Sequence, residues 1–298
     1  MEIRVLKYFL AVADIGTITG AAKALHLTQP TLTRQLKDLE KELGQQLLIR
    51  TNHNVSLTQE GMMLKKRAQE IVDMVEKTET EFDSLKNSVS GEVSVGSGET
   101  HSMKLISRII KEIQKEYPHI KFHLYSGAAE DIKEKLENGL LDFGVLIQPT
   151  DISKYDCITL PSKDIWGVIM RKDSFLAKKK FIEKKDLYNL PLITSRLVGK
   201  RQNIKNAYNE WFGEDRDKFN IVATYNLVYN AGLMVEEGVG YALGLDKLTD
   251  VSEISLLCFR PLEPKLEAGL DIIWKKSQIF SPASKLFLEK CKKNFKKQ

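Results

Sequence analysis

Thr28-Gln29-Pro30-Thr31-Leu32-Thr33-Arg34-Gln35-Leu36-Lys37-Asp38-Leu39-Glu40-Lys41-Glu42-Leu43-Gly44 is the stretch on which the fold turns. Thr28 is a good N-cap, because its hydroxyl can accept from an unpaired N–H of the first turn. Pro30 sits in that first turn, where a missing N–H costs nothing. Leu32, Leu36, Leu39 and Leu43 recur four, three and four residues apart, which gives a helix one apolar face directed at a core. Gly44 stops it. The remaining positions, Gln29, Thr31, Thr33, Arg34 and Lys37, are polar or basic and point elsewhere.

Upstream, residues 3–15 place Leu6, Phe9, Leu10 and Ala13 on one helical face, and Gly16 ends that helix. Thr17 can cap a short helix over 18–25, whose Gly20, Ala21 and Ala22 allow another helix to cross closely. His26-Leu27-Thr28 then leaves only a three-residue turn. Two helices so joined, the second strongly capped, form a helix-turn-helix. Downstream, residues 47–57 alternate loosely around Asn52-His53-Asn54 and read as a two-stranded wing.

Leu64, Ala68, Ile71, Val75, Thr78, Phe82, Leu85 and Val89 follow at alternating spacings of four and three. That is a heptad seam on a long helix, with dense charge at the outer positions as in a coiled coil between chains. The same stripe would also serve an amphipathic helix packed on its own domain. Asn87-Ser88-Val89-Ser90-Gly91 reads as a small-residue boundary. Beyond it the pattern changes. Strands are expected at Val93–Gly96, Ile120–Tyr125, Phe143–Ile147, Trp166–Met170, Leu192–Thr194 and Ile221–Thr224. Helices fall between them, including 103–116 and 129–138. Such alternation argues an α/β architecture with parallel strands.

The bulk properties set limits. At 298 residues the chain needs more than one domain. The net charge of +5 suits a polyanionic partner, yet residues 1–88 carry 12 basic and 12 acidic side chains, so the excess lies in the remainder. No apolar run is long enough to cross a bilayer, and the opening residues lack a signal-peptide layout. A cytoplasmic chain with no membrane role is expected. Cys157, Cys258 and Cys291 are distant and odd in number, which offers neither a disulfide framework nor a zinc site. No metal, cofactor or catalytic residue is expected.

The helix-turn-helix also carries a resemblance. Ala21-Ala22, Leu25-His26, Thr28-Gln29-Pro30-Thr31-Leu32-Thr33-Arg34-Gln35-Leu36, Leu39-Glu40 and Leu43-Gly44 closely resemble the DNA-binding signature of LysR-type transcriptional regulators. The likeness continues through Leu47, Arg50, Val55, Leu57-Thr58 and Gly61. Further on, Leu105-Ile106, Tyr117-Pro118, Leu136, Gly139 and Leu141-Asp142 look like the first lobe of that family's effector domain. Trp166-Gly167-Val168, Asp186-Leu187, Pro191-Leu192-Ile193 and Gly238-Val239-Gly240-Tyr241-Ala242 look like the second. Three positions depart from the usual pattern: Leu48 replaces a Phe, His53 a wing Arg, and Ser107 a Pro.

The resemblance implies an α/β chain of three parts. A winged helix-turn-helix covers 1–58, a dimerising linker helix 59–89, and a two-lobed, periplasmic-binding-protein-like effector domain 90–298. Lobe I would be 91–161 with 265–298, and lobe II 162–264, with crossovers near Leu160–Ser162 and Leu262–Lys265. The implied function is sequence-specific transcriptional regulation modulated by a small molecule held between the lobes. Implied partners are double-stranded promoter DNA, the effector, one or three further copies of the chain in a homodimer or homotetramer, and RNA polymerase.

The chemistry of the candidate residues fits these roles. Gln29 can pair bidentately with adenine, and Arg34 can fork onto guanine or hold a phosphate. Thr31 and Thr33 suit phosphate or a thymine methyl, and Pro30 shapes the same turn. Lys37 lies one turn later and suits the backbone, while Arg50 and Asn52 are wing candidates. Pairing of chains would rest on Leu64, Ala68, Ile71, Val75 and Phe82. For the effector, Ser97, Gly98 and Thr100 follow the first strand of the second half, Ser126 the second strand, and Thr194, Ser195 and Arg196 the matching strand of the other lobe. Such loops can hold a ligand at helix starts, or simply cap those helices. Glu99 argues against a strongly anionic ligand, and Arg196 for one.

Other classes fit poorly. There is no His-Glu-x-x-His, Walker loop or Gly-x-Ser-x-Gly. Gly238-Val239-Gly240-Tyr241-Ala242-Leu243-Gly244 has one residue too many for a dinucleotide fingerprint, and reads instead as a turn and helix start. A secreted solute-binding protein would have no use for the helix-turn-helix. A nucleoid-type protein would show a repetitive basic helix in place of Gln29, Thr33 and Arg34.

Overall fold

The computed structural model describes residues 1–51, 54–84, 90–148, 150–196 and 207–295. The chain divides into two compact units, Met1–Asp83 and Ser84–Gln298.

The first unit opens with helix α1 (Ile3–Ile15), ended by Gly16 at φ 75°. Helix α2 (Ile18–Ala24) follows, its first turn capped by Thr17, which accepts from the Gly20 N–H at 3.2 Å. Helix α3 (Gln29–Leu43) starts at Thr28, whose hydroxyl accepts from the Thr31 N–H, and stops at Gly44 with φ 64°. Leu32, Leu36 and Leu39 are buried with Leu6, Phe9, Leu10, Ala21 and Ala22. Each leucine so placed contributes roughly 1.5–3 kcal/mol relative to an exposed one. Leu43, expected in the same core, is instead 40% exposed at the end of α3. Strands β1 (Leu48–Arg50) and β2 (Val55–Leu57) pair antiparallel as the expected wing. The Val55 N–H docks that wing on the Gly16 carbonyl at 2.7 Å.

Helix α4 (Gln59–Ser84) spans 26 residues, about 39 Å at the usual rise. Ala68 and Val72 are buried in the core of the first unit, and Leu64 packs against it. Gly61 is required where α4 meets the wing, since a Cβ there would lie 2.2 Å from the Leu47 carbonyl oxygen. The outer half of the seam differs: Ile71 is 36% and Phe82 66% exposed. Leu85 and Val89, with most of the small-residue boundary, lie outside the described residues.

The second unit holds two sheets. In the first the order is β4 (Ile120–Ser126), β3 (Gly91–Ser97), β5 (Phe143–Ile147), β14 (Leu270–Lys275), β6 (Tyr155–Thr159). It is covered by α5 (Met103–Glu116), α6 (Ala129–Glu137) and α9 (Pro282–Phe295), with Phe143 and Phe287 buried in the core and the half-buried Phe280 ring stacked on Phe143. In the second the order is β10 (Asn220–Tyr225), β9 (Pro191–Ser195), β11 (Tyr241–Leu245), β7 (Asp164–Arg171), β12 (Leu257–Glu263), β8 (Ile182–Glu183), with β13 (Glu267–Ala268) also on β7. Helices α7 (Ala207–Phe212) and α8 (Val228–Glu236) belong to this lobe.

Three expectations are corrected. The sheets are mixed: β14 runs antiparallel to β5 and β6, and β7 antiparallel to β11, β12 and β13. The first crossing lies between β6 and β7 as expected, but the second falls at Gly269, because β13 still pairs with β7. Last, Gly238 at φ 78° ends α8 and Gly240 leads into β11, so this run is a helix end and strand start.

Candidate DNA-reading face and effector cradle

Burial of Leu32, Leu36 and Leu39 fixes the rotation of α3, and the opposite face follows from it. Gln29, Pro30, Thr31, Arg34 and Lys37 are exposed there, with Thr33 half-buried beside them. Gln29 Nε2 donates to Thr33 Oγ1 at 3.1 Å, and the Thr28 and Thr31 hydroxyls are 2.8 Å apart. A Gln amide has two N–H groups and an acceptor oxygen. With one N–H spent on Thr33, the other N–H and the oxygen remain, the pair that adenine requires. Arg50 lies on β1, and Asn52 lies outside the described residues together with His53.

Two supports of this face were missed in the sequence. His26 holds φ 54° in the turn between α2 and α3, a left-handed conformation unusual for a side-chain-bearing residue. Its only sequence sign is the shortness of that turn. The Glu40 carboxylate accepts from the Leu47 and Leu48 N–H groups at 2.9 and 3.1 Å, fixing the wing to α3.

Along α4, the stripe Leu64, Ala68 and Val72 faces its own unit, whereas Ile71 and Phe82 are exposed and Val75 is half-buried. Lys7 pairs with Glu76 at 2.8 Å and Lys65 with Asp14 at 2.6 Å, which holds α4 against α1. These pairs are exposed, so each adds little to stability.

In the second unit the loop after β3 reaches across to the other lobe. Thr100 Oγ1 donates to Asp164 at the start of β7, and accepts from the Ser102 N–H at 3.1 Å. Ser102 Oγ lies 2.7 Å from the other Asp164 oxygen and 2.9 Å from Ser162. Thr100, Ser102 and Asp164 are all buried. Thr100 therefore holds the first crossing in place, and its hydroxyl proton is committed to Asp164. The neighbouring Glu99 carboxylate accepts from the Val228 N–H at the start of α8, whose own N-cap residue, Leu227, supplies no side-chain bond. Burial, and the Glu99 charge after it, push the Tyr225 hydroxyl well above the usual tyrosine range.

The other candidates spread around this bridge. Ser97 is buried and its hydroxyl donates to the Gly98 carbonyl at 2.7 Å, while the Gly98 N–H donates to Val145. Thr194 is buried at the end of β9, Ser195 is half-buried and Arg196 exposed. Ser126 is exposed at the end of β4. No group of three metal-ligating side chains, and no helix long and apolar enough to cross a membrane, occurs among the described residues.

A capped reading helix with a wing, followed by two α/β lobes joined by two crossings, defines a DNA-binding regulator with a ligand-type second domain. Known proteins agree. The family model "Bacterial regulatory helix-turn-helix protein, lysR family" matches residues 3–62, and "LysR substrate binding domain" matches 86–296. The chain belongs to the LysR family of transcriptional regulators, and is a regulator rather than an enzyme. Among relatives, the HTH-type transcriptional regulator BsdA of Bacillus subtilis is 35% identical over 217 residues, covering 72% of each chain. YvbU of the same organism, an uncharacterized HTH-type transcriptional regulator, is 27% identical over 304 residues, covering 99% of each. The crystal structure of the LysR-family regulator CbnR superposes with a TM-score of 0.76 at 19% identity and 99% coverage of both chains. CbnR complexed with its target DNA gives 0.72 at 20% identity, covering 98% of this chain and 99% of that one.

Proposed function

We propose that two copies pair along the exposed side of α4, through Ile71, Val75 and Phe82, and present two α3 helices to an interrupted inverted repeat in promoter DNA. Gln29, Thr31, Thr33 and Arg34 read or anchor the major groove, Pro30 shapes the turn, Lys37 meets the phosphates, and Arg50 and Asn52 contact DNA from the wing. The observation that carries this reading is the polar face of α3, set opposite its buried leucines and already ordered by the Gln29–Thr33 bond. A small effector binds between the lobes, near Ser97–Thr100, Ser126 and Thr194–Arg196, and shifts the balance of lobe arrangements. Its regulatory effect is bounded by its differential affinity for those arrangements. A dimer or a tetramer of the chain, together with RNA polymerase, completes the assembly in the cytoplasm, where the promoter is.

The test is a genome-wide map of bound DNA followed by footprinting on the recovered promoters. Protection of two half-sites on one face of the duplex is expected. Protection without a recurring sequence would overturn the reading. Of the candidate cradle residues, Thr100 acts through the bridge it makes to Asp164 rather than through a free hydroxyl.

A further inference from the structure

Several hydrogen-bond donors at the described loops where the lobes meet are already used within the chain. The Thr100 hydroxyl is spent on Asp164, and the Ser97 hydroxyl on the Gly98 carbonyl. Ser102 lies between Asp164 and Ser162. The Gly98 N–H is spent on Val145, the Gly127 N–H on Ser97 at 3.0 Å, and the Arg196 N–H on Tyr225 at 2.7 Å. Tyr225 donates its hydroxyl to the Leu243 carbonyl at 2.7 Å. The start of α8, which would otherwise offer an N–H to an anion, is taken by the Glu99 carboxylate. One oxygen of Glu99 accepts that bond. A carboxylate has about four lone-pair sites in all, so most of its acceptor capacity remains.

We propose that Glu99 sets the class of effector: the cleft receives a ligand bearing N–H donors or a positive charge, and turns away one whose recognition group is a free carboxylate. This rests on the reading of the interlobe loops as the effector site. The physical reason is that a carboxylate arriving at the start of α8 must displace Glu99 or lie beside its charge. Like charges brought so close repel where they are partly shielded from water. An amide or ammonium group instead finds an acceptor already oriented. Arg196, exposed at the end of β9, is the cation of the candidate set and the residue through which an acidic ligand would be held if Glu99 did not decide the class.

The experiment uses the full chain and matched probes, acetate with acetamide and benzoate with benzamide. Binding is read by saturable rise in melting temperature, and located by amide hydrogen exchange over residues 97–100 and 225–230. Glu99→Gln is the informative variant, because its amide oxygen can still accept from the Val228 N–H while the charge is gone. Its amide also adds N–H donors, so Glu99→Met, which has neither charge nor donor, is measured beside it and should show the same direction of change. The expected result is that Glu99→Gln raises the affinity for a carboxylate relative to its amide by tenfold or more over the parent. An unchanged ratio, including no response of either protein to any probe, overturns the proposal. So does a carboxylate that stabilises the parent as well as its amide does and loses that effect in Arg196→Ala. A probe that stabilises both proteins while protecting amides only outside these loops refutes the cleft as the effector site, a distinct failure from that of Glu99.

Discussion

Gln29 and Thr33, one turn apart on α3, are joined by a hydrogen bond from Nε2 to Oγ1 of 3.1 Å. The bond restricts a side chain that would otherwise lose rotamer freedom only on meeting DNA, so it lowers the entropic cost of recognition. Thr33→Val, which removes the acceptor, should weaken operator binding by about 0.5–1.5 kcal/mol, the usual net value of one such bond. Gln29→Ala and Arg34→Ala should each cost about 1–3 kcal/mol if they read bases. Thr33→Val should cost less in the Gln29→Ala background than alone, because neighbours are not additive. Lys37→Ala should weaken all sequences alike and flatten the salt dependence. Gel-shift titrations of the folded variants check each outcome, and additive losses for Gln29 and Thr33 would refute the coupling.

The two sides of α4 predict two different failures. Ala68 is wholly buried in the core of its own unit, so Ala68→Asp should unfold that unit by burying an unpaired carboxylate. Phe82 and Ile71 are exposed, so Phe82→Asp with Ile71→Asp should leave the melting temperature of the first unit within a few degrees while the chains separate. Circular dichroism melts and light scattering at micromolar concentration distinguish the two. A monomeric parent protein would end the proposed pairing.

The sequence carried the reading helix almost to the residue, because Thr28, Pro30 and Gly44 act locally and the leucine spacing is unambiguous. The seam on α4 was half legible. Its heptad period could not tell a stripe facing a second chain from one facing its own domain, and Val72, off the period, proved to be core. Returning strands such as β14 and β12 escaped notice because antiparallel insertion is a long-range outcome without a local signature. At the proposed cradle, the sequence offers candidate loops but not their bonding: that Thr100 and Ser102 both engage Asp164 depends on a contact more than 60 residues away in the chain.

The cysteines should report folding rather than redox state. Burial raises the Cys291 thiol to about 12, and raises Cys258 and Cys157 to smaller extents. A thiol so raised holds little thiolate at neutral pH, and thiolate is the reactive form. Cys157 alone of the three is exposed. Iodoacetamide at pH 7.5 should therefore label Cys157 first and slowly, and Cys291 only after denaturant is added. Mass spectrometry of the digested protein checks the order, and rapid labelling of Cys291 in the native protein would contradict it.

Glu267 ties the two crossings of the second unit together. It lies on β13, just before the chain returns to lobe I, and accepts from Lys163, on the segment that leaves lobe I, at 2.9 Å. Lys265 is 2.7 Å from its other oxygen. The hydrogen bonds from Lys265 and Lys163 hold its carboxyl at about 2, well below the ordinary 4.5. A carboxylate depressed in the folded state favours folding fully above its unfolded value, and that contribution is lost as pH falls through the window from about 4.5 to about 2. At neutral pH the tie is intact, so physiological pH changes should leave it untouched. Lys163→Ala and Lys265→Ala should each raise the Glu267 carboxyl toward 4.5, measured by NMR titration of its carboxyl carbon. Amide exchange across residues 160–165 and 266–270 should accelerate on acidification through that window in the parent, and at a higher pH in the lysine variants. A Glu267 carboxyl that titrates near 4.5 in the parent would show that the two lysines do not hold it.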